Sequence, residues 1–281
     1  MLLFKPYQST NLLSSMANNT HFLSVIVPVY KQEKTIADDL STILYNLDQI
    51  RYDYEVIAVI DGTNVDNSYR IAKKIKNSKL TVTGYKHNHG KGYAVRFGMA
   101  HTKGDYIAFI DSGMEIDPNG ISLIIEHMEW YNADIIVASK RHPASIVNYP
   151  FERRLISFGA QIISRFLLGI KVRDTQAGLK IFKRKVLVKV LPRLLVKNYV
   201  FDLEILSVAN YLGFTRIYEA PIKLKYVFTS LTHATGLNTI YHSLIDALAV
   251  FYRLRIIHYY DNKNKRSWIY DKDLKMRINV G

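Results

Sequence analysis

Apolar, β-branched runs alternate with segments of helical spacing through the first half of the chain, and this alternation constrains the fold more than any other feature. The strand-like runs are residues 22–30, 54–61, 80–86, 106–111 and 133–141. The helical segments between them are residues 34–49, 65–77, 87–102, where a loop opens the helix, and 119–131. Such regular alternation predicts an α/β fold with a doubly wound, mostly parallel sheet, right-handed crossovers and helices on both faces.

The second half of the chain is less regular. Residues 155–169 form an amphipathic stretch, residues 173–182 indicate a loop and a short strand, and residues 216–226 indicate an extended segment. The run FDLEILSVANYLGF, residues 201–214, predicts a helix that ends at Gly213.

A long helix is predicted near the end of the chain, over residues 238–260. Its polar residues His242, Asp246 and Arg253 form only a narrow stripe. Such a helix is buried, docked on a partner or lying in a membrane interface. We therefore expect three parts: a mobile extension (1–21), an α/β domain (22–226), and an amphipathic helix with a basic tail (227–281). This last part would lie at a membrane interface, with a merely solvated tail as the alternative.

The charge balance is unusual, with 38 Lys and Arg against 24 Asp and Glu and a formal net charge of +14. Such an excess favours nucleic acid, an anionic membrane surface or a phosphorylated substrate as partner. The basic residues do not gather into a recognised nucleic-acid module, so we expect no nucleic-acid partner. Because Cys is absent, disulfides, thiolate ligands and a cysteine nucleophile are excluded, which fits a cytoplasmic setting. No apolar run approaches the roughly 20 residues that span a bilayer, so membrane contact is expected to be peripheral.

Acidic residues gather at the end of the fourth strand-like run, in FIDSGMEIDP, residues 109–118. Asp111 ends the strand, and Glu115 and Asp117 follow within one short turn. Carboxylates at the mouth of a buried strand are costly unless a cation meets them, and ligands of open α/β sheets bind just past the strands' carboxyl ends. The stretch therefore indicates a divalent metal that carries a diphosphate, with a solvated Asx-type turn as the alternative.

Two further strand ends converge with Asp111 if the sheet is doubly wound. Pro28 and Tyr30 lie at the end of the first run, and Asp61 ends the second. They could hold a nucleotide base and ribose, with a turn residue in the Asp-Gly pair as the alternative for Asp61. Lys91 stands between two glycines at the start of a helix, where phosphate could bind, although the segment is neither a Walker loop nor a dinucleotide fingerprint.

The chain resembles the family 2 glycosyltransferases in three motifs of its first half: VIVPVYKQEKTI (25–36), the Asp-Gly pair (61–62) and NHGKGYAVRFGMAHTKGDYIAFID (88–111). This resemblance implies the GT-A fold of inverting nucleotide-sugar transferases. The second half resembles polyprenyl-phosphate (dolichyl-phosphate) mannose and glucose synthases in three more: SKRHPASIVNYPFERRLIS (139–157), RDTQAGLKIF (173–182) and FDLEIL (201–206). The similarity covers residues 22 to about 226, and the motifs are specific in combination.

The resemblance implies a donor site and a metal site. The donor-binding residues would be Pro28, Tyr30, Asp61, Lys91 and Asp111. Mg²⁺ or Mn²⁺ would be held by Asp111 and Glu115, with the diphosphate oxygens and water completing the shell. Metal and Lys91 would neutralise the growing charge on the leaving nucleoside diphosphate, so that Asp111 and Lys91 both count as catalytic.

Two positions depart from the family pattern. Gly113 stands where the common DxD motif has its second Asp, and Lys31-Gln32 stands where Asn-Glu is usual. The first departure bears on the affinity or identity of the metal. No role is assigned to Gln32.

The resemblance also implies a clamp for an acceptor phosphate, formed by Arg141, Arg153 and Ser157, with a solvated basic rim as the alternative. A lipid phosphate monoester is already anionic near neutral pH and needs no strong general base. Asp202 is the catalytic candidate for reaching the sugar or, with a hydroxyl acceptor, for acting as base. A cap or a salt bridge is equally open for Asp202, and Glu204, two residues further on the same predicted helix, cannot face the same site.

The expected function is the inverting transfer of a hexose from GDP-mannose or UDP-glucose to a polyprenyl phosphate. The enzyme would bind peripherally to the cytoplasmic face of a membrane, with anionic lipid as a partner. One alternative is a family 2 transferase that acts on a sugar hydroxyl. Others are a basic nucleic-acid binder and, prompted by Gly113, a donor-binding protein without turnover. Nothing in the sequence predicts an oligomeric state.

Overall fold

Seven strands form one sheet in the computed structural model, which describes residues 21–147, 169–170, 172–197, 200–224, 237–261, 263 and 267–280. The strands are β1 (Leu23–Val29), β2 (Tyr54–Asp61), β3 (Leu80–Tyr85), β4 (Tyr106–Ile110), β5 (Ile135–Ser139), β6 (Leu179–Lys183) and β7 (Ile217–Pro221). Their order across the sheet is β3-β2-β1-β4-β6-β5-β7. Every pairing is parallel except those of β6, which runs antiparallel to β4 and β5. The expected doubly wound, mostly parallel sheet is confirmed.

Helices cover both faces of this sheet, as expected. They are α1 (Ile36–Leu47), α2 (Ser68–Ala72), α3 (Lys91–Ala100), α4 (Gly120–Trp130), α5 (Arg184–Val190), α6 (Phe201–Tyr211) and α7 (Leu237–Phe251). A 3₁₀ turn (Leu191–Arg193) follows α5, and a π-helical turn (Tyr252–Ile256) follows α7. Because successive strand residues point to opposite faces, Val25 and Val27 of β1 are buried in one apolar core and Ile26 is buried in the other.

Strand β6 is inserted between β4 and β5, a position that its sequence did not predict. The register pairs Lys180 with Phe109 and Leu179 with Ile110. Just before β6, the carbonyl of Gly178 accepts a hydrogen bond from the Asp111 amide at 2.9 Å. The antiparallel strand therefore lies directly beside the acidic end of β4.

The C-terminal region differs from the expected helix and tail. The helix ends at Ile256 instead of residue 260, because Tyr259 and Tyr260 are buried in the core beyond it. Further on, β8 (Ser267–Asp271) and β9 (Met276–Val280) pair as an antiparallel hairpin. The part of the expected basic tail that the structure describes is therefore folded.

Among the described residues, no helix has both the length and the apolar character needed to span a bilayer. Residues 1–20 of the expected extension, residues 155–168 of the amphipathic stretch and residues 225–236 lie outside the described residues. The boundaries proposed at residues 22 and 227 remain predictions.

Candidate active site

Three strand ends meet at one edge of the sheet, where the sequence predicted a ligand. Strands β2, β1 and β4 are neighbours and run parallel, so their carboxyl ends share that edge. Pro28 is buried in β1, Tyr30 follows it and is exposed, and the Lys31 ammonium lies 5.3 Å from the Tyr30 ring centroid. Asp61 ends β2, and Asp111 follows β4. The expected convergence of these strand ends is confirmed.

Asp61 is buried and holds the loop that opens α3. Its Oδ1 accepts a hydrogen bond from the His89 amide at 2.7 Å. Its Oδ2 accepts hydrogen bonds from the Asn88 side chain at 3.0 Å and the Gly90 amide at 2.9 Å. Asp61 thus acts as a turn residue, and its contact with a nucleotide stays a prediction.

Lys91, the first residue of α3, joins two carboxylates. Its Nζ donates to Asp111 Oδ2 at 2.9 Å and to Asp202 Oδ2 at 3.1 Å. Burial alone would lower the pKa of Lys91, but the charges of the two carboxylates outweigh burial and raise this pKa. The ammonium group therefore stays protonated near neutral pH and acts as a fixed positive charge.

The two oxygens of Asp111 have different surroundings. Oδ2 accepts the hydrogen bond from Lys91, whereas Oδ1 is buried and has no hydrogen-bond partner in the described part of the chain. Gly178 provides the space for this carboxylate, because a Cβ atom at that position would lie 2.2 Å from Asp111 Oδ2. A buried carboxylate oxygen without a partner is costly, and a bound cation would satisfy it.

The turn after Asp111 limits the further ligands of such a cation. Gly113 has φ of 90° and its amide donates to Asp39 Oδ2 at 3.1 Å, so a side chain here would strain the backbone. This conformation accounts for glycine at the place of the second Asp of the DxD motif. Glu115 is exposed beyond the turn, and nowhere in the described ranges do three or more His, Cys, Asp or Glu side chains group as metal ligands. Asp111 with Glu115 fits Mg²⁺ or Mn²⁺, which keep several water or diphosphate ligands.

Asp202, on α6, lies behind Lys91 rather than at the open edge. It is 2% exposed, and its Oδ1 accepts a hydrogen bond from Lys180 Nζ at 2.6 Å. Burial would raise the pKa of Asp202, but the charges of Lys180 and Lys91 outweigh it and lower this pKa. The placement favours the salt-bridge alternative that the sequence left open over a base that reaches the sugar.

Lys180 is a residue of this site that the sequence reasoning missed. It is fully buried in β6, and its Nζ also donates to the Ala177 carbonyl at 2.7 Å. The available signal was a lysine inside the strand run LKIFK, because Lys is almost never fully buried unless it is paired. That signal points to Asp202 only once β6 is known to lie beside β4.

Glu204 faces away from Asp202, as expected for residues two apart on a helix. It accepts hydrogen bonds from the Tyr260 hydroxyl at 2.7 Å, the Val196 amide at 2.9 Å and Arg253 at 3.3 Å. Glu204 therefore ties α6 to the C-terminal segment and does not belong to the site.

The expected acceptor clamp is described only in part. Arg141 is half-buried just past β5, whose carboxyl end lies at the same edge as that of β4, and its amide donates to Ser139 Oγ at 3.3 Å. Beside it, the Asp174 carboxylate accepts hydrogen bonds from the amides of Lys140 at 3.0 Å and Gln176 at 3.1 Å. Arg153 and Ser157 lie outside the described residues.

Comparison with known proteins identifies the family. The family model described as "Glycosyl transferase family 2" matches residues 24–191, more than half of the chain. The chain belongs to glycosyl transferase family 2. This membership confirms the resemblance carried by the motifs, and with it the expected enzyme class, a glycosyltransferase.

Three curated relatives of this chain share one description. All three are named dolichyl-phosphate beta-glucosyltransferase. The Drosophila melanogaster protein is 31% identical over 67% of this chain and 62% of that protein. The Homo sapiens protein is 29% identical over 73% of this chain and 68% of that protein. The Dictyostelium discoideum protein is 27% identical over 68% of this chain and 63% of that protein. The match thus spans slightly less than two thirds of the Drosophila and Dictyostelium proteins.

Solved structures confirm the GT-A fold of this family 2 chain. Mannosyl-3-phosphoglycerate synthase from Rubrobacter xylanophilus has a TM-score of 0.65 at 13% identity, covering 92% of this chain and 86% of that chain. Glucosyl-3-phosphoglycerate synthase from Mycobacterium tuberculosis, solved with Mn²⁺, UDP-glucose and phosphoglyceric acid, has a TM-score of 0.64 at 16% identity, covering 99% and 92%. At these identities the likeness concerns the fold alone.

Proposed function

We propose that this chain transfers glucose from UDP-glucose to dolichyl phosphate or a similar polyprenyl phosphate, with inversion at the anomeric carbon. The observation that carries the proposal is the pair at the strand ends: Lys91 is fixed against Asp111 Oδ2, and Asp111 Oδ1 is buried without a hydrogen-bond partner among the described residues. The relatives named dolichyl-phosphate beta-glucosyltransferase support the acceptor and the glucosyl group. They favour UDP-glucose over GDP-mannose among the donors expected from the sequence.

On the donor side, Asp111 and Glu115 would hold Mg²⁺ or Mn²⁺, a role supported by the Mn²⁺ bound in the mycobacterial neighbour. Bound metal would stabilise the negative charge of the leaving diphosphate. Lys91 adds a second positive charge beside Asp111, because Asp202 holds its ammonium group from behind. Pro28 and Tyr30 would flank the nucleotide.

On the acceptor side, a phosphate monoester brings its own negative charge, so no strong general base is needed. The burial of Asp202 agrees with this requirement, because a buried, doubly paired carboxylate is poorly placed to accept a proton from an acceptor. Arg141, with Arg153 and Ser157, would orient the acceptor phosphate.

The outer face of α7 and of its π-helical turn would contact the membrane surface. This face, here called the apolar stripe, consists of Leu244, Ile245, Leu248, Tyr252 and Ile256. These side chains are 41–58% exposed, while Ala247, Val250 and Leu254 on the opposite face are buried in the core. The occupant would be an anionic bilayer, since the chain's net charge of +14 has the complementary sign. We propose that the enzyme binds peripherally to a membrane, on its cytoplasmic face.

The test is a donor and acceptor panel with radiolabelled sugar. UDP-glucose with dolichyl phosphate and Mn²⁺ or Mg²⁺ is expected to give labelled product that partitions into organic solvent, with much less label from GDP-mannose. Chelation of the metal is expected to stop the transfer. Label that stays entirely in the aqueous phase with every donor would reject the lipid acceptor, and aqueous product formed on a sugar hydroxyl would support the alternative transferase.

A further inference from the structure

Four charged side chains form a continuous row between the interior and the sheet edge. Lys180 contacts Asp202 at 2.6 Å, Asp202 contacts Lys91 at 3.1 Å, and Lys91 contacts Asp111 at 2.9 Å. Lysine and aspartate side chains alternate along this row. Only its outer end, Asp111, belongs to the metal site predicted from the sequence.

The inner end of the row has no contact with the open edge of the sheet. Lys180 is 0% exposed, and both its ammonium and that of Lys91 lie near the Phe109 ring, at 5.2 and 5.7 Å from the centroid. Burying an ammonium group costs several kcal/mol before its partners repay it, so well-packed apolar residues often replace buried ion pairs without loss of stability. Packing alone therefore does not explain a lysine at this position of β6.

The geometry assigns Lys180 a positioning role: by occupying Asp202 Oδ1, it leaves only Oδ2 for Lys91 and so fixes the Lys91 ammonium against Asp111 Oδ2. Ala177 completes this arrangement, because its carbonyl accepts a second hydrogen bond from Lys180 Nζ and holds the ammonium group in place. Without Lys180, Lys91 would be the only cationic partner of Asp202 among the described residues, and Asp202 would draw it away from Asp111. The assignment rests on the proposed function insofar as Lys91 acts on the donor diphosphate.

Lys180→Met tests the role, because methionine keeps an unbranched apolar stem and removes the charge. We expect kcat to fall by about 10-fold or more while KM for UDP-glucose changes by less than about 3-fold, since a mispositioned Lys91 acts mainly on the transition state. The matched control is Lys183→Met on the same strand, whose ammonium donates to Asn132 and which pairs with Tyr106 at the end of β4 opposite Asp111. The control should keep kcat within about 2-fold of wild type.

A second variant separates positioning from general stability. In an Asp202→Asn background, Lys180→Met should leave kcat unchanged or raise it, because Lys180 acts only through that carboxylate. Equal losses from Lys180→Met in both backgrounds would overturn the assignment, as would wild-type kcat in the single variant. If Lys180→Met alone does not fold, kcat of the double variant is compared with that of Asp202→Asn. A lower kcat in the double variant would overturn the assignment, and an equal or higher one would support it.

A crystal structure of Lys180→Met tests the role without any activity. The distance from Lys91 Nζ to Asp111 Oδ2 should exceed about 3.5 Å, the limit of a hydrogen bond. An unchanged contact would overturn the assignment. Wild-type protein without transfer activity would reject the proposed function but would leave this structural test in force.

Discussion

The unequal surroundings of the two Asp111 oxygens determine what a substitution there will do. Oδ2 shares Lys91 with Asp202, so Lys91 keeps a carboxylate partner when Asp111 loses its charge. Oδ1 has no hydrogen-bond partner to lose within the described ranges. Folding therefore depends little on the Asp111 charge, whereas metal binding depends on it directly.

Asp111→Asn is expected to lower metal-dependent transfer by about 100-fold or more, because the variant loses the charge that holds the cation beside the leaving group. Calorimetric titration with Mn²⁺ in the presence of UDP should show weaker metal binding, and the thermal unfolding midpoint should stay near that of wild type. Asp273→Asn, in the turn of the β8–β9 hairpin, is the matched control and should keep both properties. Wild-type turnover in Asp111→Asn would remove Asp111 from the site.

Two glycines offer a contrast between a steric and a conformational role. Gly178→Ala would place a Cβ 2.2 Å from Asp111 Oδ2, whereas at Gly213, with φ of 92°, a Cβ would have no neighbour within 4 Å. We expect Gly178→Ala to displace the carboxylate and reduce metal-dependent kcat strongly. Gly213→Ala should cost about 1 kcal/mol of unfolding free energy through backbone strain and leave kcat unchanged. Rate assays and urea denaturation of both variants check this, and equal kcat values in the two would contradict it.

Among the elements, β6 marks the limit of what the sequence predicted. Local patterns predicted its existence and most other strands, because alternation and β-branched composition are properties of single segments. They did not predict its antiparallel insertion between β4 and β5, because strand pairing depends on contacts distant in the chain. The acidic strand ends and Lys91 could therefore be found from the sequence, whereas Lys180 and the buried position of Asp202 could not.

The end of the C-terminal helix, formed by α7 and its π-helical turn, was also not predictable from the local sequence pattern. The periodic pattern continued to residue 260, yet the helix ends at Ile256. The Tyr260 hydroxyl donates to Glu204 Oε1 at 2.7 Å, and the Tyr259 hydroxyl donates to the Asn279 carbonyl at 3.2 Å. These tertiary contacts favour a chain reversal over a longer helix.

A carboxylate joins β5, β7 and α5 and gives the fold a predictable pH dependence. Asp134 is buried just before β5 and contacts Lys185 at 2.9 Å and Arg216 at 3.3 Å. Burial would raise the pKa of Asp134, but its hydrogen bonds to Arg216 and Lys185 outweigh burial and lower this pKa below 3.8. The ionised form is therefore favoured in the folded state. Its stabilisation is complete above the ordinary pKa and disappears as the pH falls below it.

Asp134→Asn is accordingly expected to cost about 1–2 kcal/mol of unfolding free energy at pH 7, since Arg216 and Lys185 are partly exposed and retain water. The difference from wild type should shrink as the pH falls from 3.8, the ordinary value for this carboxyl group, through the lowered pKa of the folded state, because the unfolded chain takes up the proton first. Chemical denaturation of both proteins at several pH values measures this difference in unfolding free energy. A difference that grows at low pH would show that the sign is wrong.

The proposed membrane contact combines the net charge of the whole chain with the apolar stripe. A net charge of +14 attracts the chain to an anionic surface over a distance set by ionic strength, whereas apolar side chains contribute only after contact. Binding to a bilayer should therefore need both anionic lipid and the apolar stripe, and loss of either should weaken it. Transfer to a lipid acceptor in vesicles should therefore also depend on anionic lipid and on the apolar stripe.

Leu248→Glu, in the middle of the apolar stripe, is expected to weaken co-sedimentation with vesicles containing phosphatidylserine by about 5-fold or more, because it places a carboxylate against an apolar and negatively charged surface. Val188→Glu is the matched control, since Val188 is 64% exposed on α5, outside the apolar stripe. Both variants should transfer glucose equally well to a short-chain polyprenyl phosphate in detergent, where no surface is needed. Wild-type binding should fall in vesicles of phosphatidylcholine alone and at high salt. If both variants bind vesicles equally well, the apolar stripe is not the membrane contact, and its exposed side chains must have a different partner.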